Sequence, residues 1–251
     1  EFILKCVGAQ EFLNGDRKYC LWIQDGREEN ARKIEPIAKR IESVRKSRLA
    51  SSKQATNRKA ETPCKFDEIR FDGRPALFVP TVSSQRRRYI PIGFIGDDAV
   101  TLAPNQCVPG APPISFAIVS SRIHTVWVRT VAGRLKTDFR YSVQLCYNTF
   151  PFPKINDHQK AELEEHVFTV LDAREQFPER TLAELYDPDK MPDVLRDAHH
   201  EMDLAVERCY RKKPFTSDEE RLEYLFKLYE KMIAEERASN VATKRKVRKK
   251  N

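Results

Sequence analysis

The hydrophobic pattern of this chain changes at one segment, YNTFPFP (147–153), and that change limits the fold more than any other feature. Before it, apolar residues occur in short runs split by Pro and Gly, a pattern typical of short β-strands. After it, apolar residues recur every three or four positions, which is the period of amphipathic helices. The sequence therefore predicts an α+β protein: a β-rich domain with flanking helices (1–153), an all-α helical unit (154–241) and a basic, disordered tail (242–251).

Turn and capping signals predict elements in the first half. Asn14-Gly15 lies between apolar stretches and predicts a β-hairpin. Apolar residues at helical spacing predict a helix that begins near Lys33, because Pro36 is tolerated only in a first turn. The short apolar runs of residues 66–119, the last of them ISFAIVSS (114–121), predict strands.

The segment SSRIHTVWVRTVAG (120–133) predicts a helix that is capped by Ser120 or Ser121 and ends at Gly133. Its spacing places Trp127 in the core and not on a binding surface. His124 has no visible partner and receives no role.

Charge is distributed unevenly along the chain. Residues 1–153 contain 25 Lys and Arg against 15 Asp and Glu, whereas residues 154–241 contain 14 against 22. The last ten residues add six cations and no anion. Residues 1–153 are predicted to form a folded domain, so their excess of positive charge is better evidence than the basic tail, and it indicates a polyanionic partner.

Two basic segments supply candidate phosphate contacts. SSQRRRYIP (83–91) places the side chains of Ser83, Ser84, Arg86, Arg87 and Arg88 close together, and such groups donate to phosphate oxygens. The second segment, from Arg32 to Lys59, carries ten cations, among them Arg45, Arg48 and Lys53. A solvated helix face and a helix that lies along phosphates explain this second segment equally well.

The stretch GRLKTDFRYS (133–142) contains the most specific candidates. If it is extended, Lys136 and Asp138 project from one face. They then form either a surface ion pair or a pair that reads one base pair, with Lys donating to guanine and Asp accepting from cytosine. Neighbouring candidates for phosphate and groove contacts are Arg134, Arg140 and Tyr141.

Catalytic and metal motifs are absent from the sequence. It has no Gly-rich loop of the G-x-G type, no G-x-S-x-G and no H-E-x-x-H. The six cysteines are scattered, which indicates free thiols in a reducing compartment and no structural zinc. No run of apolar residues is long enough for a membrane span. The first Met is Met191, so we interpret the chain as a piece of a longer polypeptide.

Five segments together resemble the C-terminal part of the MmeI-type (type IIL) restriction–modification enzymes of bacteria. They are KYCLWI (18–23), RKSRLASSKQAT (45–56), VPTVSSQRRRYIPIGF (79–94), VWVRTVAGRLKTDFRYS (126–142) and YNTFPFP (147–153). The resemblance implies that residues 1–153 are a DNA target recognition domain and that 154–251 contain the helical C-terminal domain. It also implies that the residues at the positions of Lys136 and Asp138 help to specify the base pair 3′ of the methylated adenine.

The same resemblance implies a nuclease and a DNA adenine methyltransferase upstream in the parent protein. The partners are then double-stranded DNA and that methyltransferase domain, in the bacterial cytoplasm. S-adenosylmethionine, with Mg²⁺ where the parent cleaves DNA, is a cofactor of the parent, and none is expected in this fragment. Asn148-Thr149-Phe150-Pro151 is only superficially similar to the catalytic Asn-Pro-Pro-aromatic motif of such methyltransferases.

Two alternatives remain open from the sequence. One is a nucleic-acid-binding or regulatory domain without an attached enzyme, and the residues upstream of Glu1 would distinguish it. The other is a stand-alone enzyme with an unrecognised active site, which would show a cleft of buried, perturbed acids or histidines.

Overall fold

The computed structural model describes residues 1–68 and 72–248, with side chains described as far as residue 239. The strands are β1 (Ile3–Val7), β2 (Tyr19–Leu21), β3 (Ala76–Val79), β4 (Val82–Ser83), β5 (Gly93–Ile95), β6 (Ala99–Thr101), β7 (Gln106–Pro109), β8 (Gly133–Leu135) and β9 (Asp138–Arg140). The helices are α1 (Ala9–Asn14), α2 (Glu28–Arg32), α3 (Glu35–Leu49), α4 (Gln54–Arg58), α5 (Pro113–Ser120), α6 (Arg122–Val131), α7 (Asp157–Glu175), α8 (Leu182–Leu185), α9 (Asp193–Arg208) and α10 (Asp218–Arg248). This arrangement confirms the predicted α+β class.

Across the described ranges, the strands form small sheets of three, in the orders β2-β1-β6, β5-β3-β7 and β4-β9-β8. The β1–β6 pairing is parallel, and the other pairings are antiparallel. The third sheet is the smallest, and its β8–β9 hairpin carries the stretch that contains Lys136 and Asp138.

One hydrophobic core joins the sheets to the helices on both sides of residue 153. It includes Leu77 of β3, Phe116 of α5, Trp127 of α6, Leu163 of α7 and Leu225 of α10. Helix α7 packs on α5 and α9, and α10 packs on α6. A smaller cluster, of Phe2, Ile23, Ala31 and Ile41, stabilises the N-terminal part. The acidic helices therefore share the main core of the basic part.

Trp127 is the largest of the fully buried side chains, with 1% of its surface exposed. Its ring centroid lies 5.3 Å from that of Phe226 and 5.5 Å from that of Tyr229, both on α10. The prediction that Trp127 belongs to the core is confirmed.

Two local predictions are wrong. The run ISFAIVSS forms helix α5, which begins at Pro113 and is buried from Phe116 to Ser120. An element that is apolar all round shows no periodicity, so a short buried helix and a buried strand look alike in sequence. Strands β1 and β2 do pair antiparallel, but α1 lies between them, and Gly15 caps that helix (φ 73°) instead of forming a hairpin turn.

Other boundaries agree with the sequence. Pro36 lies in the first turn of α3, and Ser121 caps α6 by accepting a hydrogen bond from the His124 amide. Asn156 caps α7, the first helix of the acidic unit. The tail is the exception: helix α10 continues to Arg248, through most of the segment predicted to be disordered (242–251), and residues 249–251 lie outside the described residues. No helix in the described ranges is long and apolar enough to cross a membrane.

Candidate nucleic-acid interface

In the β8–β9 hairpin all of β8 is exposed, and β9 alternates, with Phe139 buried between Asp138 and Arg140. Leu135 pairs with Asp138, and Gly133 pairs with Arg140. On the other side of β9, Ser83 of β4 pairs with Phe139, and both of these side chains are buried. Because neighbours on a strand point to opposite faces, Asp138 and Arg140 share the outward face with Leu135.

Lys136 occupies the two-residue turn of this hairpin, Lys136-Thr137, and has a φ of 55°. Tight hairpins use turns with positive φ because these match the twist of the strands, and Gly, Asn or Asp normally fills such positions. A lysine held there costs about 1 kcal/mol. The premise that Lys136 and Asp138 are alternate residues of one extended segment is therefore wrong, since Lys136 is at the exposed tip and Asp138 begins β9.

The surface ion pair considered from the sequence is not formed. Among the residues that the structure describes, Lys136 makes no ion pair or hydrogen bond through its ammonium group. Asp138 is half-buried, and its Oδ1 accepts a hydrogen bond from the backbone N–H of Gln85 at 3.4 Å. That contact joins the hairpin to the arginine segment.

Residues 84–88, here named the arginine loop, form a turn directly after β4. The Arg87 amide donates to the Ser84 carbonyl at 3.2 Å, and the Arg86 amide donates to the Ser84 hydroxyl at 3.3 Å. The side chains of Arg86 and Arg88 are exposed, while Arg87 is half-buried, and desolvation lowers its pKa. The loop thus presents its cations beside the hairpin.

An acidic loop of the helical unit faces this cluster. Arg86 forms an ion pair with Asp189, and both side chains are largely exposed. Asp187 also acts electrostatically on Arg86 and Arg87. Part of the positive charge of the arginine loop is therefore already compensated by the protein.

Arg129, near the end of α6, was missed by the sequence analysis. Its Nη2 donates to the carbonyls of Arg87 at 2.7 Å and Gln85 at 3.4 Å, and its guanidinium lies 5.6 Å from the Phe139 ring centroid. The sequence shows only that Arg129 is a cation in the last turn of a helix with buried residues, four residues before Gly133. This pattern does not predict which backbone carbonyls Arg129 contacts.

Arg134 of β8 stacks closely on the same ring, with 4.2 Å between its Cζ and the Phe139 centroid. It also donates to the carbonyls of Thr137 and Arg129. Its side chain remains exposed, so it can still approach a phosphate.

Two predicted DNA contacts are wrong because the side chains are buried. Tyr141 is 4% exposed, and its hydroxyl lies 3.1 Å from Nε2 of His124. Tyr141 is thus the partner of His124 that the sequence did not reveal. Burial raises the pKa of Tyr141 and lowers that of His124 to about 3. Ser83 is also 4% exposed and faces inward with Phe139, whereas its neighbour Ser84 is on the accessible side.

The basic helical segment divides into exposed cations and one structural arginine. Arg45 and Lys53 are exposed, although Arg45 lies 3.6 Å from Glu42. Arg48 instead donates to the carbonyls of Lys59 (2.7 Å), Thr62 (2.8 Å) and Lys65 (2.7 Å). Three of its five N–H donors therefore hold the chain that follows α4, so Arg48 has a structural role, and its phosphate contact stays a prediction.

No cluster of three or more His, Cys, Asp or Glu in the described ranges could hold a metal ion. The six cysteines are free thiols. The face around the hairpin presents cations, hydrogen-bond donors and the Asp138 carboxylate, which suits binding to phosphates and base edges. Asp187 and Asp189 offset part of the charge of the arginine loop.

Comparisons with known proteins agree with this assignment. Residues 1–154 match the family model described as MmeI, target recognition domain, and residues 155–235 match MmeI, C-terminal domain. The chain is 44% identical over 231 residues to DNA methyltransferase A of Bacillus subtilis (strain 168). That match covers 92% of this chain and 26% of the relative.

A solved structure of the type IIL restriction-modification enzyme MmeI in complex with DNA is similar, with a TM-score of 0.89 and 37% identity. The match covers 93% of this chain and 31% of that chain. The chain thus spans between a quarter and a third of the length of these relatives. It belongs to the MmeI family, of which it contains the target recognition domain followed by the C-terminal domain.

Proposed function

We propose that this chain recognises a specific sequence in double-stranded DNA and positions an adenine for an S-adenosylmethionine-dependent methyltransferase domain of the same polypeptide. The observation that carries the proposal is the exposed β8–β9 hairpin beside the arginine loop. Membership of the MmeI family supports it, as does the similarity to a DNA methyltransferase.

The hairpin has the dimensions and chemistry of a major-groove reader. A two-stranded β-ribbon fits the major groove, where G·C presents two acceptors on guanine and an amine donor on cytosine. The Lys136 ammonium donates to guanine, and the Asp138 carboxylate accepts from the cytosine amine. Each good contact gives roughly 1–3 kcal/mol of discrimination, against about 0–1 kcal/mol for an exposed ion pair.

Asp138 keeps capacity for this role after its contact with Gln85. An ionised carboxylate has about four lone-pair sites on two oxygens, and the described contact uses one of them, on Oδ1. The hydrogen bond from Gln85 fixes the carboxylate, which reduces the entropy lost when it meets a base. Lys136, at the tip, reaches further into the groove than a residue within a strand.

Phosphate contacts come from the cations that surround the hairpin. Arg86, Arg87, Arg88, Arg134 and Arg140, with the Ser84 hydroxyl, flank the reading residues, and Arg45 and Lys53 supply further contacts from α3 and the start of α4. Such contacts fix the register of a protein on DNA and carry no sequence information themselves. In this proposal these cations supply affinity, and the hairpin supplies choice of sequence.

The test is a charge-inverting swap, Lys136→Glu with Asp138→Arg, made in the complete parent protein. We expect the methylated motif, read by sequencing of modified bases in a host genome, to change at one position and nowhere else. The matched control is Lys5→Glu with Asp98→Arg, which inverts an exposed 2.7 Å ion pair outside the hairpin and the arginine loop. A motif that stays the same after the swap of Lys136 and Asp138 would reject their assignment as base readers.

The alternative of a nucleic-acid-binding domain without an enzyme makes a different prediction about the parent gene. Residues upstream of Glu1 would then contain neither a Gly-rich cofactor loop nor an Asn-Pro-Pro-aromatic motif. Under our proposal both are present, and the parent binds S-adenosylmethionine there.

A further inference from the structure

We propose that Arg129 is a positioning residue for base recognition, which locks the arginine loop to the reading hairpin so that Asp138 meets its base pair in one fixed geometry. This inference rests on the proposed function and extends it to a residue that touches no DNA. It follows from a closed ring of contacts: Arg129 contacts Gln85, Gln85 contacts Asp138, and the neighbouring Phe139 lies against Arg129 again.

The first part of the ring is the arginine loop. Arg129 donates to the carbonyls of Gln85 and Arg87, two residues of that loop. The N–H of Gln85 in turn donates to Oδ1 of Asp138. Arg129 therefore holds Gln85 by its carbonyl, and the N–H of the same residue is the donor that contacts the Asp138 carboxylate.

The second part of the ring is the hairpin. The guanidinium of Arg129 lies over the ring of Phe139, the residue next to Asp138, and Arg134 stacks on the same ring. Arg134 donates to the backbone of Arg129 and to Thr137 in the turn. The inward face of the hairpin is thus held by the same side chain that holds the loop.

Arg129 is an unusual choice if its only purpose is stability. Its Nε is buried and has no hydrogen-bond partner within the described structure. Asp218, the carboxylate that acts on it electrostatically, is paired instead with Arg122 and Arg221. A half-buried guanidinium without a carboxylate partner is costly. Nη2 makes both carbonyl contacts while the guanidinium plane lies over the Phe139 ring. An apolar residue cannot donate to the carbonyls, and a lysine has no planar group to lie over the ring.

The variant that tests this is Arg129→Lys in the complete parent protein, because it keeps the charge and loses the planar fork. The measurement is the rate of methylation of the recognised duplex compared with duplexes that carry one changed base pair each. We expect discrimination at the base pair read by Lys136 and Asp138 to fall about tenfold. Discrimination at the other positions, and the salt dependence of binding, stay as in the wild type.

The control is Arg196→Lys, which also removes an arginine–carbonyl contact, to Met191 at 2.9 Å, but on α9. It changes stability without changing discrimination. In the double variant Arg129→Lys with Asp138→Ala, discrimination at this position is no lower than in Asp138→Ala alone, because Arg129 acts through Asp138.

An equal loss of rate on every duplex, or unchanged discrimination, would overturn the role of Arg129. If Arg129→Lys does not fold, Phe139→Leu replaces it, since this change removes the ring beneath the guanidinium and keeps the carbonyl contacts. We expect Phe139→Leu to lower discrimination at the same base pair only. Failure of the proposed function is a separate result, in which the Lys136 and Asp138 swap leaves the methylated motif unchanged whatever Arg129→Lys does.

Discussion

Asp203 makes the stability of this protein depend on pH, and Asp203→Asn tests the cause. The carboxyl lies on α9, is 3% exposed and accepts hydrogen bonds from the Arg122 amide and the Tyr89 hydroxyl, both at 2.7 Å. Tyr89 follows the arginine loop directly, so this contact anchors the loop to the helical unit. Glu207 and Arg88 are the charged side chains that act on Asp203, and His199 stacks on Tyr89.

Burial raises the pKa of Asp203 from 3.8 to about 7, against the opposing effect of its two hydrogen bonds, while Glu207 adds to the rise. The folded state therefore binds the proton more tightly than the unfolded state does. The stability that this gives is fully present below about pH 4 and is lost as the pH rises through about 7. A shift of about three units, at about 1.4 kcal/mol each, amounts to about 4 kcal/mol.

Asparagine removes the titration and keeps an oxygen that accepts from Arg122. We expect the free energy of unfolding of Asp203→Asn, relative to wild type, to rise by up to about 4 kcal/mol between about pH 4 and pH 8. Urea denaturation of the 251-residue chain at several pH values measures this difference, in which the titration of all other groups cancels. Parallel pH profiles for the two proteins would show that Asp203 does not titrate in this range, and the reasoning would fail.

Three further predictions concern the residues that we propose to contact DNA, and the acidic residue beside them. Replacing Arg86, Arg87 and Arg88 by Gln should weaken binding to all DNA sequences and lower the slope of log K against log salt by roughly 0.9 per lost phosphate contact. Titration at several salt concentrations measures both effects, and an unchanged slope would contradict the prediction. Asp189→Asn releases Arg86 and should strengthen binding to all DNA alike, with a slope steeper by up to about 0.9, whereas equal affinity would show that the ion pair does not compete with phosphate. Lys136→Gly removes the strain of a lysine at positive φ and should raise the free energy of unfolding by about 1 kcal/mol. It should also weaken discrimination at one base pair. A lower thermal midpoint of the variant would refute the assignment of strain.

Much of the fold follows from local sequence rules. Pro36 sets the start of α3, Ser121 caps α6, and the three-and-four spacing around Trp127 places that ring in the core. These signals are local because a helix satisfies its hydrogen bonds within its own segment. Helix α5 was missed for the reason that its buried run is apolar on every side, so that periodicity gives no information.

The site was predictable in composition but not in geometry. The sequence shows that arginines and a Lys/Asp pair lie near one another in the basic domain, yet which face they occupy depends on the register of β9 against β4 and β8. That register buries Tyr141 and Ser83 and exposes Arg140. The contacts of Arg48 and Arg129 with distant carbonyls depend on tertiary structure alone, and no spacing rule could have predicted them.

The core that spans both halves of the chain determines how new specificities can be built on it. A graft that exchanges residues 1–153 between relatives would separate Leu77 and Trp127 from the helices that cover them, and each chimera would need a matched set of interior side chains. The tip of the β8–β9 hairpin has no such dependence, because its outward side chains contribute little to the interior. Under the proposed function, replacement of a few tip residues on an unchanged scaffold is therefore the route by which this architecture can acquire a different target and keep its fold.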